Sequence, residues 1–540
     1  MRQEGGLRGN TAQMDQQDLF RLFLVALIVQ GLVAWPLNGP PYMDAAYYAV
    51  GGRELAAGRG FSQPFVWNYL DAPAGLPHPG YLYWMPLPAL LAGLGGWLSG
   101  GAWRGLQVPF LLLAALLPLL AYAVTWSFSR NRRHAWAAGL LMLLGGFYAP
   151  YWTLPESFTP YALVGGLALW QMGSLTEGEK AWKRALLIGG LIGLAHLTRA
   201  DGPLLLLVAL LIVLERREGG SGRAALRLLA PLLGGYLLVM APWFLRNLRA
   251  IGLPLSPAGS RTLWLRAYDE LFNYGDLPTP AGFLAWGAGP IVRSRLEALA
   301  SALQTLIAVH GFIFLAPFVL VGLWRHRHHR LIRPALVYAL LLYAAMSLAF
   351  AYPGMRGGLF HSGGALLPFF LAVALGELDR AVGWAAERIP TWERGRAQRG
   401  FTRLALIAAA LLSLGLYIRR LAAWSEAGTV PHAVGTWLQA REGGETDASK
   451  LVVMVNDPPS FTYYTGYPAV VIPNGSPAVA AQAARRYGVR YLVLEEDHPQ
   501  AMAGLYAGIG YRVDGSSGWI LRAVLRPRGR PVRIYEWVTE

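Results

Sequence analysis

The chain contains no cysteine, and charged residues are scarce for its length. The absence of cysteine excludes both a disulfide framework and a thiolate metal site, and it leaves the redox compartment open. Only 14% of the 540 residues are charged, whereas 54% are hydrophobic, and the aromatic residues include 20 Trp and 25 Tyr. This composition excludes an ordinary soluble protein and predicts a polytopic membrane protein.

Acidic residues are the scarcer of the two charged classes. The chain has 31 Asp and Glu against 47 Lys and Arg, which gives a formal net charge of +16. The basic residues lie in short loops between apolar runs, a pattern typical of orientation in a membrane and contact with anionic lipid head groups. We therefore predict membrane lipids as partners and no nucleic acid.

The apolar runs predict a mainly α-helical fold with about 11 transmembrane helices. The predicted spans are 19–37, 105–127, 135–150, 160–175, 185–198, 201–214, 228–245, 303–323, 334–352, 365–382 and 403–420.

A further apolar stretch, 81–99, is interrupted by proline and glycine and is predicted as a re-entrant or interfacial helix. If it does not cross, the basic loops all lie on the cytoplasmic side, as the positive-inside rule requires. The protein is then a multi-pass protein of the plasma (inner) membrane. Its N-terminal segment 1–18 is cytoplasmic, and its C-terminus lies outside.

Three domains follow from this topology: the segment 1–18, a transmembrane domain 19–420 with an outer loop at 38–83, and a tail at 421–540. From about residue 430 the tail alternates short β-branched runs with a helical run, which predicts a small extracytoplasmic α/β domain. No glycine-rich phosphate loop occurs in the tail.

Most of the unusual polar residues fall on the predicted outer face. Asp44 follows the first span and is flanked by Tyr47 and Tyr48. A carboxylate there can act as a general base or hold a divalent cation against a phosphate. The alternative is a helix N-cap, with Gly58 ending the same helix.

Glu156, at the outer end of another span, is the second candidate carboxylate, with a solvated helix-capping acid as the alternative. Arg199 and Asp201, in the run LTRADG, form either a phosphate-binding pair or an internal ion pair. Whether the two carboxylates meet cannot be read from the sequence.

Three more outer-face residues are candidates for substrate binding. Arg261 belongs to an amphipathic loop that either covers the site or packs on the membrane surface. Arg356 and His361 precede an apolar helix; Arg356 can bind a lipid phosphate, and His361 a phosphate or a metal. Their alternative is a flexible solvated loop.

Taken in order, these motifs resemble the C-type glycosyltransferases, and within them the protein O-mannosyltransferases and lipid A aminoarabinose transferases. The resemblance covers roughly residues 19–420, and its elements are PPYMDAAYY, GRGF, YLYWMPLPALL, Glu156, LTRADG and an arginine-bearing loop before ALLPF. Many relatives carry Asp-Glu in the first loop, whereas Ala45 stands here at the second position.

The resemblance implies transfer of a sugar from a polyprenyl-phosphate donor to an acceptor hydroxyl on the outer face, and it leaves protein, lipid and glycan open as acceptors. It implies Asp44 and Glu156 as catalytic residues, Asp44 being the candidate base. Arg199 and Arg356 are implied at the donor phosphate, with a divalent metal ion, Mg or Mn, as a candidate cofactor. A transporter or flippase for lipid-linked sugars is the alternative function.

Overall fold

A computed structural model describes residues 14–175, 180–215, 222–443, 450–512 and 517–539. Residues 1–13 of the predicted cytoplasmic segment lie outside the described residues. The helices of the N-terminal half are α1 Gln16–Ala34, α2 Met43–Ala56, α3 Leu87–Ser99, α4 Trp103–Ser129, α5 Arg132–Leu144, α6 Phe158–Gly173, α7 Ala181–Thr198, α8 Pro203–Glu215 and α9 Gly222–Ile251.

The second half continues the helical fold through short and kinked elements. These are α10 Ala258–Arg261, α11 Pro280–Ala285, α12 Ala288–Gln304, α13 Ala316–Arg325, α14 Arg333–Ala344, α15 Ala351–Pro353, α16 Leu359–Gly363, α17 Leu367–Ala386 and α18 Arg394–Trp424. The tail adds α19 Thr429–Glu442, α20 Pro458–Thr465, α21 Pro477–Tyr487 and α22 Ala503–Tyr506.

Long apolar helices make the chain a multi-pass membrane protein. Within the described ranges, five helical segments are long and apolar enough to cross a bilayer, and four shorter helices are also apolar. Each of the eleven predicted spans overlaps a helix, but the number that crosses stays a prediction. The 13 residues of α3 extend for about 20 Å, which is less than the hydrocarbon core.

Ion pairs join the basic loops to acids on the helices. The buried carboxylate of Asp18 accepts hydrogen bonds from Arg132 at 2.5 and 2.6 Å and from the Tyr122 hydroxyl at 2.9 Å. Glu377, on α17, lies 3.3 Å from Arg325 and 3.6 Å from His326. Arg325 and His326, at the start of the basic segment 324–330, therefore contact a protein carboxylate.

The tail contributes six strands to a mixed sheet of seven, in the order β2-β5-β4-β6-β9-β8-β7, where β2 is Phe65–Val66 of the first outer loop. Its strands are β4 Val452–Val455, β5 Ala469–Val471, β6 Val489–Leu494, β7 Tyr511–Arg512, β8 Gly518–Leu525 and β9 Val532–Val538. The strands β4, β5 and β6 are parallel, while β9, β8 and β7 are antiparallel. The α/β character predicted for the tail is thus confirmed.

One edge strand of this sheet comes from the first outer loop. The loop contains β1 Ser62–Gln63, β2 Phe65–Val66 and β3 His78–Pro79, and β2 pairs in parallel with β5. The sheet therefore extends beyond the predicted segment 421–540.

Side-chain contacts strengthen the connection between the tail and the first loop. The guanidinium of Arg53, on α2, stacks over Tyr463 at 3.8 Å and donates to its carbonyl at 3.1 Å. The Tyr464 hydroxyl donates to the Pro40 carbonyl at 2.9 Å. The tail and the loop 38–83 consequently lie on the same side of the helical domain.

Glycines allow α7 and α9 to pack with their backbones almost in contact. A Cβ atom on Gly189 would lie 1.9 Å from the Leu232 carbonyl oxygen, and one on Gly235 would lie 2.1 Å from that of Leu186. By contrast, a Cβ atom on Gly190 would meet no atom closer than 4.0 Å. Small residues at such a crossing are a common basis of helix association in membranes.

We expect Gly189→Ala to lower the apparent melting temperature of the detergent-solubilised protein, because overpacking of this kind costs about 1–3 kcal/mol. Gly190→Ala is the matched control and should be neutral or stabilising, since replacing a helical glycine with alanine gains up to about 1 kcal/mol. Thermal unfolding of both variants measures the difference. Equal melting temperatures for the two variants would contradict the close crossing.

Candidate active site

Asp44 lies in the first turn of α2, which begins directly after the first long helix. The residue at the N-cap is Tyr42, and its side chain makes no capping hydrogen bond. Asp44 is one residue inside the helix, so the capping alternative does not describe it. The helix ends where the sequence predicts. Gly58, just beyond its last turn, adopts a left-handed conformation with φ of 75°, which is typical of a glycine that ends a helix.

Glu156 lies in the connection between α5 and α6 and is completely buried. One oxygen, Oε2, accepts a hydrogen bond from the Tyr42 hydroxyl. The other, Oε1, has no hydrogen-bond partner among the described residues. Glu156 is therefore neither solvated nor a helix cap, and an unpaired buried carboxylate oxygen requires a binding partner.

His361 joins the two carboxylates from the short helix α16. Its Nδ1 lies 3.3 Å from Glu156 Oε1, and its Nε2 lies 3.9 Å from Asp44 Oδ2. The ring stacks on Phe158 with 3.7 Å between centroids and an interplanar angle of 10°. The Ser157 hydroxyl lies 2.9 Å from Nδ1. The alternative of a flexible solvated loop therefore does not describe His361, whose imidazole is held on a helix.

Burial raises the pKa of both carboxyl groups. Burial is the largest cause that raises the pKa of Asp44 to about 7, and the negative charge of Asp457 adds to it. Burial, followed by the charge of Asp44, raises the pKa of Glu156 well above its usual range. Carboxyl groups with such perturbed pKa values are typical of functional sites.

Asp44, Glu156 and His361 could hold a divalent metal ion. One donor atom from each of the three lies within 4.8 Å of the other two. Donors bound at about 2.0–2.2 Å to one ion lie a few ångströms apart, so this spacing fits. The unpaired Oε1 of Glu156 fits as well, because a cation would satisfy it. A set of two carboxylates and one imidazole suits Zn or Mn better than Mg.

Arg199 and Asp201 form the internal ion pair that was the alternative to phosphate binding. Arg199 Nε lies 3.0 Å from Asp201 and also donates to Ser362 at 2.7 Å. Its remaining nitrogens donate to the Ser157 hydroxyl at 3.3 Å and to the Gly358 carbonyl at 3.5 Å. The guanidinium thus fixes the backbone and side chains around His361 and lowers the pKa of both candidate carboxyls.

The other two candidate arginines differ in position. Arg356 is exposed, and its guanidinium lies over the Tyr268 ring at 4.8 Å. Burial raises the pKa of the Tyr268 hydroxyl to about 12, and the negative charge of Asp44 adds to this rise. Arg356 therefore lies at the rim of the site. Arg261 instead donates to the Leu70 carbonyl and helps to fix the outer loop.

Tyr47 and Tyr48 belong to an aromatic cluster under Asp44. Both are almost completely buried, and their rings meet edge to face at 5.0 Å. Tyr47 also contacts Trp84 at 4.8 Å, and Tyr48 stacks on the same ring at 6.2 Å. The observed contacts are those of packing beneath the site.

Three site residues were not found from the sequence. Tyr42 and Ser157 each lie within two positions of a candidate carboxylate, so adjacency was an available signal. Asp457 comes from the tail, more than 400 residues after Asp44. No local pattern indicates that these two acids lie near each other.

Comparison with known proteins gives solved structures but no sequence relatives. No family model matches the chain, and no curated protein matches it. The oligosaccharyltransferase of Archaeoglobus fulgidus aligns with a TM-score of 0.60 and 13% identity, covering 97% of this chain and 75% of that chain. ArnT from Cupriavidus metallidurans, bound to undecaprenyl phosphate, aligns with a TM-score of 0.55 and 18% identity, covering 96% and 98%.

A mycobacterial arabinofuranosyltransferase, AftD, is a third similar structure. It aligns with a TM-score of 0.51 and 15% identity, covering 98% of this chain and 40% of that chain. All of these proteins have the C-type glycosyltransferase fold. The present chain shares that fold, as the order of its motifs predicts.

Proposed function

We propose that the protein is a membrane glycosyltransferase that moves a sugar from a polyprenyl-phosphate donor to an acceptor hydroxyl. The observation that carries the proposal is the convergence of Asp44, Glu156 and His361 within 4.8 Å of one another. These groups come from three distant segments of the chain, and one of the two acids, Glu156, is completely buried. The fold supports the same reaction class, because its solved members include glycosyltransferases.

Exposure assigns the roles within the cluster. The side chain of Asp44 is 27% exposed, against 13% for His361 and 0% for Glu156. Asp44 is therefore the group that an acceptor can reach, whereas Glu156 and His361 lie deeper and would hold a metal ion. Such an ion would supply positive charge that stabilises the leaving phosphate.

Arg356 is the candidate for the donor phosphate. Its guanidinium is exposed and stacked on Tyr268, whereas the nitrogens of Arg199 are occupied. A planar guanidinium held on an aromatic ring is suited to bidentate phosphate binding. ArnT was solved with undecaprenyl phosphate, and the archaeal oligosaccharyltransferase with dolichol phosphate, which supports a polyprenyl-phosphate donor here.

The proposed reaction is a single displacement at the anomeric carbon. Asp44 accepts the proton of the acceptor hydroxyl as the hydroxyl oxygen forms a bond to that carbon. The bond between the anomeric carbon and the phosphate oxygen breaks, and its electron pair leaves with the polyprenyl phosphate. Arg356 stabilises the charge on the departing phosphate, the type of contribution that is usually largest in such reactions.

The proposed location is the plasma membrane, with the N-terminus in the cytoplasm and the catalytic cluster on the outer face. The positive-inside rule supports this orientation, because the basic loops lie on the opposite side from the loop 38–83. The tail contacts that loop and lies on the same side as the cluster.

We expect Asp44→Asn to reduce transfer by about 10²–10⁴-fold, the usual contribution of a general base. Transfer of radiolabelled sugar from a panel of undecaprenyl-phosphate sugars to mixed acceptors measures it, with the purified full-length chain. Glu54→Gln is the matched control, because Glu54 lies on the same helix and pairs with Arg59 at the surface. This control should retain activity.

A well-folded Asp44→Asn variant with full activity would exclude Asp44 as the base. Movement of the lipid-linked sugar across vesicles by the wild type, with no transfer to any acceptor, would favour the transporter. The first outcome overturns the assignment of the base alone and the second overturns the transferase, so the two assays are run on the same preparation.

The rate should increase with pH until the base is ionised. Asp44 must be deprotonated to accept a proton, and its pKa is raised to about 7. We therefore expect kcat/KM to rise roughly tenfold per pH unit below about pH 7 and to level off above it. The pH profile between 5.5 and 9 measures this limb, and a profile that is flat across that range would contradict the assignment.

A divalent ion should stabilise the protein through Glu156 and His361. An ion at 100 times its Kd stabilises the folded state by about 2.7 kcal/mol, which thermal unfolding detects without any measurement of activity. We expect Mn or Zn to raise the melting temperature of chelator-treated wild type but not of His361→Ala. The exposed His328, far from the cluster, provides the control His328→Ala. An equal response of all three proteins would place the ion elsewhere.

A further inference from the structure

The sheet of the tail has a topological switch point. The chain runs from β4 through α20 to β5 on one side, and then through α21 to β6 on the other side of β4. Phe461 of α20 packs on one face of the sheet with Val453 and Val455. Tyr487 of α21 packs on the opposite face with Met454. In open parallel sheets, ligands bind outside the carboxyl ends of the strands where the strand order reverses.

A cavity of about 530 Å³ lies at that point. The carboxyl ends of β4 and β6 form its inner wall. Val455 and Asp457 lie at the end of β4, and Val493 and Glu495 lie at the end of β6. The connection between α18 and α19 and the turn between β8 and β9 form the remaining walls. The volume is in the range of ordinary ligand sites.

The lining of this cavity is acidic in a chain that is strongly basic. Five carboxylates face two guanidiniums, and one of each, Glu426 and Arg528, pair with each other. Among the described residues, Asp457 and Glu495 form no ion pair. Burial, followed by the charges of Asp457 and Asp497, raises the pKa of Glu495 to about 7. Partly buried acids without a cation are costly to the fold and point to a ligand.

One helix contact and one ring contact connect the surroundings of the cavity to the candidate active site. The helix α20 begins at the cavity, where Asp457 accepts from the Ser460 backbone at 3.0 Å, and it packs against α2. At the other wall, Trp424 stacks on Tyr42 at 5.5 Å, and Tyr42 donates to Glu156. Asp457 in the cavity lining is also near enough to Asp44 for its charge to contribute to the raised pKa of Asp44.

We propose that this cavity is an acceptor site that binds an uncharged or amine-bearing saccharide and rejects anionic acceptors. The inference rests on the proposed glycosyltransferase function and specifies its acceptor class. The carboxylates of the lining can accept hydrogen bonds, and Arg530 can donate them. This combination suits hydroxyl groups, which both donate and accept hydrogen bonds. An excess of carboxylates favours an ammonium group and repels phosphate, so the anionic donor is directed toward Arg356 instead.

Saccharide binding to the full-length protein tests this inference without catalysis. The probes are the disaccharides of glucosamine, N-acetylglucosamine and glucose, together with a 6-phosphorylated glucose disaccharide, measured by ligand-observed NMR. We expect binding to weaken in that order, with no binding of the phosphorylated probe. Asp457→Asn and Glu495→Gln should each weaken binding of the glucosamine disaccharide at least tenfold. Glu297→Gln, an exposed acid on α12, is the control and should bind as the wild type does.

Binding of undecaprenyl phosphate, measured on the same variants, separates this inference from the proposed function. Donor-lipid binding that is unchanged in Asp457→Asn and Glu495→Gln, with saccharide binding lost, supports the acceptor site. Donor-lipid binding with no saccharide binding to the wild type overturns the acceptor site alone. Preference for a lysine-rich peptide, or for the phosphorylated disaccharide, overturns the saccharide assignment. Saccharide binding without any donor-lipid binding contradicts the proposed function and leaves the cavity a saccharide site.

Discussion

The burial of the Glu156 carboxyl beside a second carboxyl is the constraint around which the site is built. Moving an acid out of water is unfavourable unless its oxygens find partners. Here Tyr42 supplies a hydrogen bond to one oxygen, while the other faces His361 at 3.3 Å. The rings that hold these two partners are themselves fixed, since Tyr42 stacks on Trp424 and His361 stacks on Phe158. Helix ends distant in the chain are thus held together by one buried acid.

The tail is part of the same arrangement. Its sheet takes a strand from the first outer loop, and its helix α20 packs against the helix that carries Asp44. The charge of Asp457 reaches Asp44 strongly enough to raise its pKa. The pKa of Asp44 consequently depends on a residue of the tail.

The sequence revealed the helical fold and the principal acids because both depend on local patterns. Apolar runs predict helices wherever the chain lies, so each predicted span overlaps an observed helix. Asp44, Glu156 and His361 were found because ionisable groups beside apolar segments are rare.

Contacts between distant segments were beyond sequence reasoning. The strand β2 is two residues long and pairs with a strand 400 residues later, so no periodicity marks it. Asp457 was missed for the same reason. For Arg199, phosphate binding and an internal ion pair differ only in the partner of the guanidinium, and only the three-dimensional structure identifies that partner.

The position of Arg199 explains why its positive charge serves the acids better than a phosphate. To bind a phosphate, the guanidinium would have to release Asp201, Ser362 and Ser157, which would leave the partly buried Asp201 carboxylate without its cation. Breaking an ion pair that is shielded from water in this way is unfavourable. Held in place, the same charge lowers the pKa of both candidate carboxyls and opposes the effect of burial. Without it, Asp44 would hold its proton at still higher pH, which would make it less suited to the proposed role of general base.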